Sequence, residues 1–391
     1  MENTFNLEKE FPNELKLLLK ILAIEKEEEN DYFSNYSFKE IDWKLFLQLV
    51  IHHRVYPIIY SKVKMFDEKI VPQFVIQTLY KEYQKNTYGM LALCREMEHI
   101  SNLFTENHIP NLFLKGPVIA ADIYGDISLR TSKDLDILIP INTFKKAEKL
   151  LLSSGFKKMS GPYILSEWKW RTHHILYFHP ERNIQLEIHW RLQPLPLSEP
   201  SFNELWERKR VSTITSYPVH FLGKEDLFLF LISHGSRHAW FRLRWLLDID
   251  KMVKKGVSLN EANILLKNYK NLHLVGQALI LTSQLFKTPI NEEMQLVIEN
   301  SRSKELAHKA LIIIKDMLPL EKIMSTNYYK RYRLSLKSKS LQKIYSIIVL
   351  FYPSTADAMT LRLPKPLHFL YFPLRPFLWV YRNIKPLKLN Q

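Results

Sequence analysis

The sequence is poor in residues that several common protein classes depend on. Its 391 residues include one cysteine, Cys94, and only nine glycines. A lone cysteine excludes a disulfide framework within the chain and fits a reducing, cytoplasmic setting. Cys94 lies in the apolar-periodic run Met90-Leu-Ala-Leu-Cys-Arg-Glu-Met97, where a core thiol is expected rather than a nucleophile. Scarce glycine with 46% hydrophobic residues indicates a helix-rich globular chain, not a disordered one. There is no Gly-rich Walker loop and no Rossmann fingerprint. His234 and His238 have the i, i+4 spacing that binds Zn²⁺, but Gly235 stands where an HExxH motif needs its glutamate, which argues against zinc proteolysis. The opening Met-Glu-Asn-Thr-Phe lacks a basic n-region and an apolar h-region, so no signal peptide is expected.

Acidic residues nearly vanish from the last part of the chain. From residue 321 onward there are thirteen Lys and Arg against Glu321 and Asp357, a net +11 of the total +15. The same stretch holds Ile344–Tyr352 and Phe369–Tyr381, both aromatic and apolar. Neither reaches the ~18–20 apolar residues of a spanning helix, and Pro373, Arg375 and Pro376 are expected to break the second. Basic residues interleaved with aromatics suit an anionic membrane surface, packing on the main body or, less well, nucleic acid.

Two short motifs suggest chemistry. Leu114-Lys115-Gly116 reads as a strand ending in a glycine turn, and Asp134-Leu-Asp136-Ile-Leu-Ile139 as a later strand. Residues i and i+2 of a strand share a face, so Asp134 and Asp136 project together while Leu135, Ile137 and Ile139 point to the buried side. A third carboxylate follows in Ile184-Gln-Leu-Glu187-Ile-His189-Trp190, where Gln185, Glu187 and His189 share the polar face. Each motif alone reads as a solvated strand end. Together, Asp134, Asp136 and Glu187 are expected to converge on one or two Mg²⁺ ions, clamping a nucleoside triphosphate for in-line attack on its α-phosphate. Lys115 would offset phosphate charge, and Gly116 would permit close backbone approach. Arg130, four residues before Asp134, either folds back over the phosphates or salt-bridges the aspartates.

Taken in order, these residues resemble the DNA polymerase β-type nucleotidyltransferase superfamily, and within it the bacterial group of uncharacterised nucleotidyltransferases. The resemblance rests on Leu114-Lys115-Gly116, Tyr124, Arg130, Asp134-x-Asp136 and Glu187-Ile-His189-Trp190. Downstream it includes Lys224-Glu-Asp226-Leu, His234-Gly235-x-x-His238 and Arg244-Trp245-Leu-Leu-Asp248, and upstream Asp42-Trp43 and His53-Arg54-Val55. It spans roughly residues 40 to 255. Lys115-Gly116 replaces the superfamily's usual Gly-Ser turn. The resemblance implies an α+β fold, a polymerase β-like mixed sheet with helical regions before and after it. Asp134, Asp136 and Glu187 would be catalytic metal ligands, and Lys115, Gly116, Arg130 and His189 would bind nucleotide. It further implies an enzyme that moves an NMP from an NTP, with ATP as the expected donor, to an unidentified hydroxyl, phosphate or protein side chain, releasing pyrophosphate. The competing class is a non-catalytic nucleotide-binding or protein-interaction module, regulator or antitoxin-like, that keeps the fold.

The expected organisation is an N-terminal helical region (1–105), a nucleotidyltransferase core (106–222), a helical domain (223–320) and the basic tail (321–391). In the core, strands are expected over Asn111–Lys115, Leu135–Ile139, near Tyr163–Leu165, Ile175–Phe178 and Ile184–Trp190. Helices are expected over Val118–Tyr124 and Thr143–Ser154, the latter stopped by Gly155. His52-His53 and His173-His174 read as ordinary polar positions.

Overall fold

The computed structural model describes residues 10–24, 38, 40–64, 66, 70–159, 164–165, 172–194, 199–259, 262, 272–317, 320–337, 344, 348–349 and 351–384. The acidic run 25–31 and much of the tract 344–352 lie outside them, whereas Ile164 and Leu165 form a bend and a turn with Leu165 at φ +48°, not the strand expected over Tyr163–Leu165.

The N-terminal helices among the described residues are α1 (Asn13–Ala23), α2 (Trp43–His52), α3 (Tyr56–Val63) and α4 (Gln73–Glu106). Asp42 starts α2 by accepting from the Lys44 and Leu45 amides (2.9 and 3.1 Å), satisfying donors that a helix N-terminus leaves free. In α4 the buried residues Leu79, Asn86, Met90, Leu93, Met97, Ile100 and Phe104 recur at three- and four-residue steps, or pairs of them, as for one helix face.

The core follows as β1 (Leu112–Phe113), α5 (Pro117–Tyr124), β2 (Asp134–Leu138), α6 (Phe144–Ser153), β3 (Lys157–Lys158), β4 (His174–His179), β5 (Ile184–His189), α7 (Phe202–Glu207), β6 (Arg210–Ser212) and β7 (Val219–Phe221). The strands form one mixed sheet in the order β3-β4-β5-β2-β1-β7-β6. The fold is α+β, as expected. β2 and β5 run parallel at its centre, with Asp136 opposite Glu187 and Ile137 opposite Ile188. The β6–β7 hairpin is not among the expected elements, because three-residue strands offer too few alternations for a period-2 signal. Gly116 lies between β1 and α5 at φ +102°, a conformation that disfavours any side chain, and an added Cβ would stand 3.2 Å from Leu135 Cδ2.

The helical layer comprises α8 (Lys224–Arg237), α9 (Leu243–Lys254), α10 (Leu272–Phe286), α11 (Glu292–Ile298), α12 (Ser301–Lys315), α13 (Leu320–Ser325) and α14 (Asn327–Ser335). A tight turn joins α8 to α9, with Ala239 and Trp240 both at positive φ. The turn folds the Trp240 ring back onto Gly235, so close that an added Cβ would stand 2.1 Å from it. Only glycine fits there, which explains its place between the two histidines. Residues just beyond 321 pack on this layer. Tyr329 and Tyr332 are buried in its core and donate to the carbonyls of Arg237 (2.9 Å) and Ser236 (2.8 Å).

Nearer the end, the described residues include α15 (Thr355–Thr360) and α16 (Tyr371–Ile384). The expected break at Pro373 and Pro376 does not occur, since α16 runs through both. Pro373 falls in the first turn, where a missing N–H costs nothing, and Pro376 forfeits one helical bond. Packing of Tyr371 and Leu378 against Ile164, and the pairing of buried Asp357 with Arg375 and Arg382, hold the segment.

Candidate active site

The parallel register of β2 and β5 sets the first wall of a cleft of about 340 Å³. Asp136 is fully buried, and its Oδ1 accepts from Lys115 Nζ (2.9 Å) and lies 3.1 Å from His189 Nε2. The same His189 nitrogen lies 3.2 Å from Glu187 Oε2, and His174 Nε2 stands 3.6 Å from that oxygen. Burial alone would lower the His189 pKa, but its hydrogen bonds to Asp136 and Glu187 raise it. Burial would likewise raise Asp136, yet Lys115 and His189 hold its carboxyl well below the usual range. Glu187 is lowered in the same way, the His189 hydrogen bond outweighing burial. Asp134 is pushed up by burial and by the charge of Asp136, against the pull of Lys115.

A helical wall faces this strand wall. His234, Arg237, His238, Arg244 and Trp245, from α8, the α8–α9 turn and α9, line the same cleft, with Arg54 from the end of α2. Burial pushes Arg244 down to about 9, with Arg130 adding repulsion, and Arg237 down to about 10, with Arg333 adding repulsion. Arginine stays protonated, so these shifts reflect the cost of burying two cations, offset in part by Asp248 at Arg244 and by Glu187 and Asp136 at Arg237. Burial also holds His173, His234 and His238 well below their ordinary pKa and His174 at about 4, all neutral at pH 7.

Of the residues expected at the site, Asp134, Glu187, Lys115, Arg130 and His189 line this cleft, and Asp136 and Gly116 adjoin it through Lys115. The ligand atoms of Asp136, Glu187 and His189 lie within 4.8 Å of one another, as do those of His173, His174 and His189; neither group includes Asp134. Arg130 pairs with neither aspartate. It is buried and bidentate to Asp248 on α9 (2.9 and 3.0 Å), which also accepts from the Tyr124 hydroxyl (2.8 Å). Its Nη1 is buried with no hydrogen-bond partner among the described residues. Sequence reasoning passed over His173 and His174. The available signal was their place at the start of β4, whose antiparallel register sets His174 opposite His189.

A divalent cation fits this donor set. Asp136 Oδ2 is buried with no hydrogen-bond partner among the described residues. A carboxylate oxygen in that position costs free energy unless a cation meets it.

The family model of uncharacterised nucleotidyltransferases matches residues 39–287. The chain belongs to this family. Membership suggests the chemical class, nucleotidyl transfer, for which a divalent metal is usual. No curated protein matches the sequence. Among solved structures, an antigenic nucleotidyltransferase-like protein from Paracoccidioides brasiliensis aligns over 53% of this chain and 97% of its own at 17% identity. Its TM-score of 0.32 is too low to carry any argument. No helix among the described residues of this nucleotidyltransferase-family protein is long and apolar enough to cross a membrane.

Proposed function

We propose that the cleft transfers a nucleoside monophosphate from an NTP, ATP being the expected donor, to an acceptor oxygen. The observation that carries this reading is the pairing of two facing groups in one cleft. Acidic Asp134 and Glu187 line it from adjacent strands, with Asp136 buried beside them, and the buried cations Arg237 and Arg244 line it from the helical side. Asp136, Glu187 and Asp134 would hold Mg²⁺, which when bound supplies charge neutralisation at the phosphates. Arg237, Arg244 and Lys115 bind the polyphosphate, where desolvated cations stabilise transferring charge most. The acceptor hydroxyl oxygen bonds to the α-phosphorus as the α–β bridging P–O bond breaks. The bond pair leaves with pyrophosphate, and the hydroxyl proton passes to an Asp134 carboxylate oxygen. Arg130, tied to Asp248, anchors the helical wall rather than the phosphates. Incubation with each NTP labelled at the α-phosphate, plus Mg²⁺, tests this. Pyrophosphate release or label transfer is expected, and tight NTP binding without either would favour a non-catalytic nucleotide-binding module.

We also infer a peripheral contact with anionic membrane. On α16, Phe377, Trp379 and Ile384 are 72%, 60% and 73% exposed, with Phe369 at 59% just before it. Exposed aromatic and aliphatic side chains in a strongly basic segment suit the headgroup region. Sedimentation with phosphatidylserine vesicles should weaken as salt rises, and Phe377→Ser with Trp379→Ser should abolish it. Sedimentation unchanged by that double substitution would remove the contact.

A further inference from the structure

A second cavity, of about 460 Å³, adjoins the cleft and shares three lining residues with it: Arg54, Ser132 and Arg242. Lys85 and Gly89 from α4 and Lys133 from the approach to β2 line it away from the cleft. Four cations therefore surround one space, with Glu82 as the one carboxylate among its lining residues.

The fold offsets this charge only in part, through Glu82, through Asp134 acting on Arg54 and through Glu321 acting on Arg242. The side chains of Arg54, Lys85 and Lys133 make no hydrogen bond or ion pair among the described residues. Arg242 donates to the His52 carbonyl (3.1 Å) and lies over the Phe241 ring, and Glu321 attracts it without forming an ion pair. Like charges gathered in this way destabilise a free protein unless an anion meets them. Arg54 also holds a left-handed backbone (φ +55°), a conformation that strains a residue with a side chain and is found more often at functional positions than elsewhere. Gly89 keeps the α4 side open. An added Cβ there would meet nothing within 4 Å, so packing does not demand glycine in mid-helix.

We propose that this cavity is the acceptor subsite, and that the acceptor is a small molecule carrying both a phosphate group and the hydroxyl that attacks. The proposal rests on the nucleotidyl-transfer reading of the cleft. The acceptor's phosphate sits among Arg54, Lys85 and Lys133, in a volume suited to a small ligand. Arg54 and Arg242, common to both cavities, bridge the phosphates of the two substrates. The acceptor hydroxyl forms the new O–Pα bond, pyrophosphate departs with the electron pair of the broken bond, and the proton goes to Asp134. The acceptor's own phosphate takes no part in bond exchange.

Titration calorimetry on the full chain, presaturated with Mg²⁺ and a non-hydrolysable NTP analogue, tests this with inorganic phosphate, ribose 5-phosphate, ribose and a 5′-phosphorylated single-stranded oligonucleotide. Phosphate and ribose 5-phosphate should bind beside the analogue, and ribose should not. Lys85→Glu with Lys133→Glu should weaken ribose 5-phosphate at least tenfold while leaving analogue affinity within twofold. Gly89→Leu, which fills the cavity without altering charge, should weaken ribose 5-phosphate and spare inorganic phosphate. Competition between ribose 5-phosphate and the analogue, or equal weakening of both by the lysine substitutions, would overturn the subsite. Binding of the oligonucleotide alone would overturn the small-molecule assignment. Failure of the wild-type protein to bind any NTP analogue would instead remove the nucleotidyl-transfer reading, and with it the acceptor role, even if phosphate still bound here.

Discussion

The two walls of the cleft are built by different physics. The strand wall is set by sheet pairing: Asp136, Glu187 and His189 are placed by two adjacent parallel strands, and a period of two residues fixes which side chains share a face. The helical wall is assembled from distant pieces. Arg244 reaches back to Thr131, Arg130 crosses to Asp248, and the Leu243 amide donates to His53 Nδ1 (3.3 Å) at the end of α2. The strand wall holds its carboxylates through secondary structure, whereas the helical wall holds its cations through tertiary contacts that many single changes can undo. Substitutions on the first should therefore cost chemistry, and substitutions on the second should cost stability.

The largest effect is expected on the strand wall. Asp136→Asn keeps the shape of the side chain but removes the charge between Lys115 and His189. Nucleotidyl transfer should fall on the order of 10³-fold, corresponding to ~4 kcal/mol of barrier. Circular dichroism should stay native, and an unfolded variant would erase the contrast between the walls.

The helical wall makes the opposite claim. Asp248→Asn leaves Arg130 buried beside a neutral partner. Breaking one side of a buried pair costs roughly 3–5 kcal/mol. Urea denaturation should show that loss, and a midpoint equal to wild type would mean that the helical wall does not depend on this pair. A smaller loss, roughly 1–3 kcal/mol, is expected for Gly235→Ala, because the new methyl group meets the Trp240 ring. A neutral result would show that the α8–α9 turn adjusts freely.

The loop after β5 offers a gentler probe. The Glu199 carboxylate accepts from the Leu192 and Gln193 amides (3.1 and 2.8 Å), and burial pushes it up to about 7 from an ordinary 4.5. A folded pKa above the unfolded one gives stability that is full below pH 4.5 and lost as pH rises through 7. Relative to Glu199→Gln, the wild-type protein should lose roughly 1–2 kcal/mol over that window, allowing for the partly exposed side chain. Parallel denaturation curves for the two proteins from pH 4.5 to 7.5 would contradict this.

The same contrast explains what the sequence made legible. Alternation in Asp134–Ile139 and Ile184–Trp190 marked both strands, and the helix expected over Val118–Tyr124 differs from α5 by one residue. Parallel pairing of β2 with β5 was not readable from alternation alone, since nothing local specifies which strand lies beside which. The Arg130–Asp248 pair spans 118 positions and gave no local signal, although both residues belonged to the family-like motifs. The proline rule failed at α16 because Pro373 falls in the first turn and tertiary packing compensates at Pro376. The cationic cavity draws on residues 54, 85, 133 and 242, and only the folded chain brings them together.

The central claim is that the strand-wall carboxylates form a cation-dependent nucleotide site. Mn²⁺ titration followed by electron paramagnetic resonance, with and without ATP, tests it most directly in the wild-type protein, Asp136→Asn and Glu187→Gln. The expected result is tight Mn²⁺ binding that strengthens with ATP in the wild type and is lost in both variants. Mn²⁺ binding that is absent from the wild type, or equal in all three proteins, would contradict the account.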